Sequence, residues 1–271
     1  MRLTYLGTPE VAVVPLRALV DAGHHVALVV TRPDARRGRG TALSPSPVKA
    51  CALELGIPVT DTVDDVLALD PPAELGVVVA FGRIIRPHVL DALPMVNLHF
   101  SLLPRWRGAA PVERAVLAGD DLTGVCVMAV EEGLDTGGVY RRAEVPIGPD
   151  ETVEELRSRL VEVGTELLLG ALDTGLGRAE TQHGSPTYAA KIDPSELHIN
   201  WSAAPETIHR LVRVGGAWTT HKGHRLKVLR TKVNSDGTLE LLEVQPEGKG
   251  RMAFRDWANG ARWQPDEPLG S

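Results

Sequence analysis

Cysteine is nearly missing from this chain: in 271 residues only Cys51 and Cys126 occur, far apart and outside any Cys-x-x-Cys spacing. That scarcity excludes a disulfide framework and a cysteine-based zinc site, and a reducing compartment is expected. No apolar run approaches the ~20 residues that cross a bilayer. The opening Met1-Arg2-Leu3-Thr4-Tyr5-Leu6-Gly7 also lacks the apolar stretch of a signal peptide, so a cytoplasmic location is expected. Internal repeats and low-complexity tracts are absent. So is a dinucleotide-binding Gly-x-Gly-x-x-Gly, since the first glycine stands in Gly7-Thr8-Pro9-Glu10.

What is present describes an ordinary globular protein, with 43% apolar residues and charges of both signs. The length exceeds that of one hydrophobic core, so two domains that fold without staples are expected. The net charge of −6 hides an asymmetry. Between residues 201 and 232, Arg210, Arg213, Lys222, Arg225, Lys227, Arg230 and Lys232 face the single acid Glu206, whereas acids dominate residues 130–166. A basic face suits a polyanionic partner, and a solvated surface explains it equally well.

Short Val-rich runs at Leu3–Leu6, Val26–Val30, Gly76–Phe81 and Val96–Phe100 read as buried parallel strands. Between them Glu10–Ala22 and Pro47–Leu55 have helical spacing, with Gly23 and Gly56 at C-cap positions. The alternation predicts a doubly wound α/β domain with a mostly parallel, Rossmann-like sheet. A long helix from Glu151 to about Leu172, acidic in its first turns, closes a first domain over 1–173. Residues 174–195 lose periodicity and read as a linker. A smaller β-rich, OB-like domain is expected over 196–271, with a helix at Pro205–Val214 and strands at Arg225–Val233 and Thr238–Val244. The turn Asn234-Ser235-Asp236-Gly237 joins those strands.

The chemistry-bearing residues lie in three stretches. Asn97 and His99 are two apart in an expected strand, so both side chains point to one face at its carboxyl end, where open α/β sheets bind ligands. The simpler account of that pair is a core histidine satisfied by a backbone carbonyl. Ser101-Leu102-Leu103-Pro104-Arg105-Trp106-Arg107-Gly108 follows, too marked for a plain connection. Further on, Glu131-Glu132-Gly133-Leu134-Asp135-Thr136-Gly137-Gly138 forms a glycine-rich loop between expected strands Thr123–Val130 and Val139–Val145. Taken alone, Asp135 there only caps backbone amides. Together, a neutral amide, an imidazole and a carboxylate suit acyl transfer to an amine.

Asn97-x-His99-x-Ser101-Leu102-Leu103-Pro104, Arg107-Gly108 and Gly133-Leu134-Asp135-Thr136-Gly137 resemble the signature of the folate-dependent formyltransferases. Gly7-Thr8-Pro9-Glu10, the loop from Arg32-Pro33-Asp34 to Gly38-Arg39-Gly40, and Ser44-Pro45-Ser46-Pro47-Val48-Lys49 are similar to the methionyl-tRNA formyltransferase family within them. The resemblance implies 10-formyltetrahydrofolate as donor. Its pteridine would lie near Phe81, Gly82, Arg83, Ile84 and Ile85 and the loop Val130, Glu131, Glu132 to Asp135, with Ser101, Leu102, Leu103 and Pro104 also on the folate side. The implied acceptor is the α-amino group of methionine on initiator tRNA. Asn97 and His99 would meet the developing oxyanion, where one lost donor costs ~10²–10³ in rate, and Asp135 would orient His99 and help to take the amine proton. Neither a metal nor a covalent intermediate is called for.

The same resemblance places Arg36, Arg37 and Arg39 on the acceptor stem and Lys222, Arg225 and Lys227 on tRNA phosphates, with a monomer as the expected state. Two departures leave other readings open. The segment Arg213-Val214-Gly215-Gly216-Ala217-Trp218-Thr219 is shorter than in related chains, and Cys126 stands where a threonine is usual. The alternatives are a paralogue that formylates an amino sugar nucleotide or small amine, and a tRNA-binding module without turnover.

Overall fold

A computed structural model describes residues 1–36, 43–264, 267 and 269–270. In chain order the main elements begin with β1 (Arg2–Gly7), α1 (Val13–Asp21), β2 (His25–Val30), α2 (Pro47–Glu54), β3 (Val59–Thr60) and β4 (Leu75–Val79). Next come α3 (Pro87–Ala92), β5 (Met95–His99), α4 (Pro111–Ala118), β6 (Leu122–Ala129), β7 (Val139–Pro146) and α5 (Val153–Asp173). The remainder is α6 (Pro205–Val214), β8 (Trp218–His221), β9 (His224–Val233), β10 (Leu239–Pro246), β11 (Met252–Ala253) and α7 (Phe254–Ala261). These divide into two compact units: Met1–Pro111 with Thr123–Val145 and Arg157–Ala189, and Val112–Leu122 with Pro146–Leu156 and Ala190–Ser271.

The first unit is built on a seven-stranded sheet in the order β7-β6-β5-β4-β1-β2-β3. Its middle is parallel, from β5 through β4, β1 and β2 to β3, while β6 runs antiparallel to β5. All five residues of β4 and five of the six in β1 are buried, as a sheet covered on both faces demands. The phenol of Tyr5, wholly enclosed, donates to the Ala12 carbonyl at 2.6 Å, so its one polar atom is satisfied. Ser46 caps α2 by accepting from the Lys49 amide at 2.9 Å, with Pro47 at the first helical position.

One predicted helix is divided. Glu10–Ala12 is a 3-10 turn, and the α-helix begins only at Val13. Pro15 explains the boundary: extended back, the helix would need an amide that proline lacks, and the ring would strike the carbonyl of Val11. The segment 174–189 is held by pairing rather than left as open chain. Glu180 exchanges backbone hydrogen bonds with Val139, and Tyr188–Ala189 pair with Arg107–Gly108. These pairings bring residues far apart in sequence beside the carboxyl end of β5.

The second unit has a four-stranded antiparallel sheet, β8-β9-β10-β11, whose apolar side forms one cluster with α6 and α7. Ile208 and Val212 of α6 are under 5% exposed, each worth about 1.5–3 kcal/mol when fully buried. The predicted hairpin turn is present, with Gly237 at φ 80° and its amide on the Asn234 carbonyl. Among the described residues no helix is long and apolar enough to cross a membrane.

At the start of α5, Thr152 and Glu155 form a reciprocal cap: the Thr152 amide donates to the Glu155 carboxylate at 2.8 Å and the Glu155 amide to the Thr152 hydroxyl at 3.3 Å. Arg230 donates to the same carboxylate at 2.6 Å. The Thr152 bonds, then Arg230, hold the Glu155 carboxyl down at about 2. A depressed carboxyl stabilises the fold above its unfolded value near 4.5 and loses that contribution as pH falls toward 2. Glu155→Gln is therefore expected to destabilise the protein at pH 7 by under about 1 kcal/mol, since the pair is half exposed and screened. Thermal melts of the two proteins should converge between pH 4.5 and 2, and a difference that persists at pH 2 would contradict this.

Candidate active site

The carboxyl end of β5 carries the site. Asn97 and His99 alternate with Val96 and Leu98, so they share one face of the sheet. On the antiparallel neighbour, Met128 stands opposite Asn97 and Cys126 opposite His99. Cys126 is fully buried, and that burial pushes its thiol up from the usual value. It packs with Leu103, Met128 and Val139 as a small apolar residue.

His99 is only 5% exposed, and both ring nitrogens have protein neighbours. Nε2 lies 2.9 Å from the Trp106 carbonyl oxygen. A carbonyl only accepts, so Nε2 carries the proton and Nδ1 is left with its lone pair as an acceptor. Nδ1 faces Asp135 Oδ2 at 3.6 Å. That carboxylate oxygen accepts from the Gly108 amide at 2.7 Å, which turns it toward the imidazole. The two modest readings of these residues, a histidine on a carbonyl and an aspartate on an amide, both describe real hydrogen bonds. The same bonds bring the imidazole and the carboxylate face to face. Asn97 is partly exposed on that face, and its amide forms no hydrogen bond with the described residues.

The turn after β5 explains the placement. Ser101 is fully buried and donates to the Arg105 carbonyl at 2.6 Å, closing the turn. The Trp106 amide donates to Thr187 Oγ1 at 2.9 Å, and Trp106 takes φ 63°. Gly108 takes φ 118°, and a Cβ there would meet the Ala189 carbonyl oxygen at 3.0 Å, so the Arg107-Gly108 step needs glycine for both reasons. Asp135 is also left-handed, at φ 50°. Such backbone strain costs on the order of 1–3 kcal/mol and persists only where surroundings hold it.

Gln182 supplies that hold. Its Nε2 donates to the carbonyls of Asp135 and Gly137 at 2.8 Å each, and its Oε1 accepts from Arg107 Nε and Nη2 at 3.1 and 2.7 Å. Sequence reasoning passed over Gln182, Thr187 and the Trp106 carbonyl because the first two sit in an aperiodic stretch and the third is main chain.

The amino-terminal family model for formyl transferases matches residues 1–172, and a model of the formyl transferase carboxyl-terminal domain matches residues 191–236. A methionyl-tRNA formyltransferase of Jannaschia sp. (strain CCS1) is 42% identical over 301 residues, covering 99% of this chain and 100% of that protein. The chain belongs to the methionyl-tRNA formyltransferase family. Among solved structures, a methionyl-tRNA formyltransferase from Clostridium thermocellum aligns with TM-score 0.64 at 17% identity, covering 92% of this chain and 100% of that one. An N-formyltransferase from Helicobacter canadensis, in complex with folinic acid and dTDP-3-aminofucose, aligns with TM-score 0.67 at 18% identity over 86% and 87%. Both likenesses concern the fold.

Within this formyltransferase the two expected folate segments meet. Phe81 and Ile85, both buried, share a cluster against which Val130 packs. The Gly82 carbonyl accepts from Arg32 at 2.9 Å, and Arg83 reaches the Asp61 carbonyl at 2.6 Å with its guanidinium 5.6 Å from the Phe81 ring centre. Ile84 is 88% exposed, and Glu131 and Glu132 are exposed too. Leu103 lies in the core with Cys126, while Leu102 and Pro104 are partly exposed. Ser101 and Leu103 thus spend their side chains on the turn and the core, leaving main chain as what they offer a ligand.

Of the expected tRNA residues, Arg37 and Arg39 fall outside the described residues, and Arg36 is exposed. In the second unit, His221, Lys222, His224, Arg225, Lys249 and Trp257 line a cavity of ≈ 430 Å³ together with Glu247. Lys222 Nζ lies 3.0 Å from Glu267, whose carboxyl is held below its usual value first by that bond. The Arg225 guanidinium sits 4.2 Å over the Trp218 ring, and Lys227 pairs with Trp218 across the strands.

Proposed function

We propose that this chain transfers the formyl group of 10-formyltetrahydrofolate to the α-amino group of methionine on initiator tRNA, in the cytoplasm, with Asn97, His99 and Asp135 at the reacting carbon. The observation that carries the reading is the approach of His99 Nδ1 to Asp135 Oδ2, 3.6 Å apart, on the strand face that also bears Asn97. Similarity at 42% identity over whole chains supports the tRNA acceptor over an amino sugar.

The amine nitrogen attacks the formyl carbon, and the carbonyl oxygen becomes negative in a tetrahedral intermediate. The Asn97 amide donates to that oxygen; His99, expected from the sequence to donate there as well, has its Nε2 proton committed to the Trp106 carbonyl and acts on the amine instead. His99, its Nε2 proton fixed by the Trp106 carbonyl, takes the amine proton at Nδ1, steadied by the Asp135 carboxylate. The carbon–N10 bond then breaks, the proton passes to N10, and tetrahydrofolate leaves. A buried site strengthens each of these electrostatic terms relative to water.

Folate lies along the segment Phe81, Gly82, Arg83, Ile84 and Ile85 and the loop Val130, Glu131 and Glu132, beside the Ser101–Pro104 turn, with Phe81 and Ile85 supporting that wall from the core. Arg36, Arg37 and Arg39 serve the acceptor stem, a role taken from the family resemblance. Lys222, Arg225 and Lys227 hold phosphates, a role suited to exposed cations, of which Arg225 also lies over an aromatic ring.

The test is a side-by-side acceptor assay with 10-formyltetrahydrofolate as donor. Initiator methionyl-tRNA is expected to be formylated and a dTDP-amino sugar left untouched; the reverse pattern would refute the acceptor, and tight tRNA binding without turnover would refute the enzyme. In the same assay Arg225→Ala and Lys227→Ala are each expected to weaken tRNA binding and leave folate binding unchanged. Each should also reduce the slope of log affinity against log salt by about 0.9 for every duplex phosphate it no longer neutralises.

A further inference from the structure

We infer that Gln182 is a positioning residue for formyl transfer, one that sets the carboxylate of Asp135 against His99 without touching the substrate. The inference rests on the reading of Asn97, His99 and Asp135 as the reacting groups.

The Gln182 side chain uses its whole hydrogen-bonding capacity on this task. Both amide hydrogens go to main-chain carbonyls of the catalytic loop, at Asp135 and Gly137, each at 2.8 Å. Both lone pairs of Oε1 take the Arg107 guanidinium, at 3.1 and 2.7 Å. Its orientation is therefore unique: a flipped amide would set NH₂ against a cation and an oxygen against two carbonyls.

The bonds close a circuit. Gln182 holds Arg107; the next residue, Gly108, donates its amide to Asp135 Oδ2 at 2.7 Å; and the Asp135 carbonyl returns to Gln182. Asp135 is thus gripped at its carboxylate by one arm and at its left-handed backbone, φ 50°, by the other. The residues on either side of Gln182, Thr181 and His183, are exposed, while Gln182 itself is partly buried. Five residues further on, Thr187 Oγ1 accepts the amide of Trp106, the residue whose carbonyl meets His99 Nε2. One stretch of chain therefore reaches both partners of the pair.

Gln182→Glu isolates the effect. A glutamate retains the bond to Arg107, now as an ion pair, but turns an oxygen toward the carbonyls of Asp135 and Gly137, so the loop loses its two donors while its anchor on Arg107 remains. The expected result is a kcat lower by about tenfold to a hundredfold, the range that misplacement of a reacting group by about 1 Å produces, with both KM values and the melting temperature close to wild type. In an Asp135→Asn background the same change is expected to cost less than about twofold, because the carboxylate it positions is gone. Gln182→Met, which removes all four bonds at similar volume, should lower kcat further.

Wild-type kcat in Gln182→Glu beside an inactive Asp135→Asn would overturn the inference alone. So would additive losses in the double variant, or a fall in melting temperature and a rise in both KM values that account for the lost rate. Full activity of Asp135→Asn would instead overturn the site reading on which the inference rests.

Discussion

Replacing His99 by alanine is expected to lower the single-turnover rate of formyl transfer by about 10²–10⁴, the usual contribution of a positioned acid–base group. The imidazole is 5% exposed and its Nδ1 faces Asp135, so no water has the same hold on the amine proton. Asp135→Asn is expected to fall in the same range. An asparagine oxygen still accepts from Gly108, which keeps the loop in place, yet it carries no charge to steady the imidazolium. The double variant should be little worse than either single one, because two groups acting on one proton lose their effect together. Rapid-quench measurement at saturating donor and acceptor decides the matter: a His99→Ala rate within tenfold of wild type would remove the imidazole from the mechanism.

Gly137→Ala is expected to act on fold and chemistry at once. A Cβ at that position would stand 2.0 Å from the Ala129 carbonyl oxygen and 2.8 Å from its carbon, both main-chain atoms at the end of β6. Nothing there is the far end of a flexible side chain, so the loop must move away from β6. Overpacking of this kind costs about 1–3 kcal/mol, roughly 2–4 °C in melting temperature per kcal/mol for chains of this size. The displaced residue also carries one of the carbonyls that Gln182 grips, so kcat is expected to fall with stability. Gly170→Ala in α5 is the control, with nothing within 4 Å of its added Cβ. It should be neutral or stabilising by about 0.4–1 kcal/mol. Melting curves of the two variants in opposite directions would bear this out; equal, small shifts would not.

The legible parts of this molecule are those whose physics is local. Strands β1, β2 and β4 are largely apolar runs and β5 alternates apolar with polar residues, and α5 announces itself by acids in its first turn and ends within a residue of expectation. The hairpin at Asn234–Gly237 is a turn by residue type alone. The short helices α3 and α4 went unread because neither spans three turns, although Pro87 and Pro111 open them as a first-turn proline should. Strand β8 and helix α7 were missed as well, being four and eight residues long and defined by what they pack on.

The site divides in the same way. Asn97, His99 and Asp135 are proposed from residue types suited to one chemistry and a family's pattern. What aims them was hidden: Gln182 acts across 75 residues on Arg107 and 47 on Asp135. No window along the chain spans those distances, and glutamine in an aperiodic, glycine-bearing stretch looks like solvated loop.

His99 and Asp135 are each oriented by a peptide group, the carbonyl of Trp106 and the amide of Gly108. A main-chain carbonyl survives any point substitution of the residue that owns it, so the side chain at 106 is free to drift as far as this pairing is concerned, whereas position 108 must keep its N–H and its glycine backbone. Anyone transplanting the proposed centre to a new scaffold would have to copy a chain trajectory, Ser101 to Gly108 with its crosspiece from Gln182 to Thr187, before grafting Asn97, His99 and Asp135.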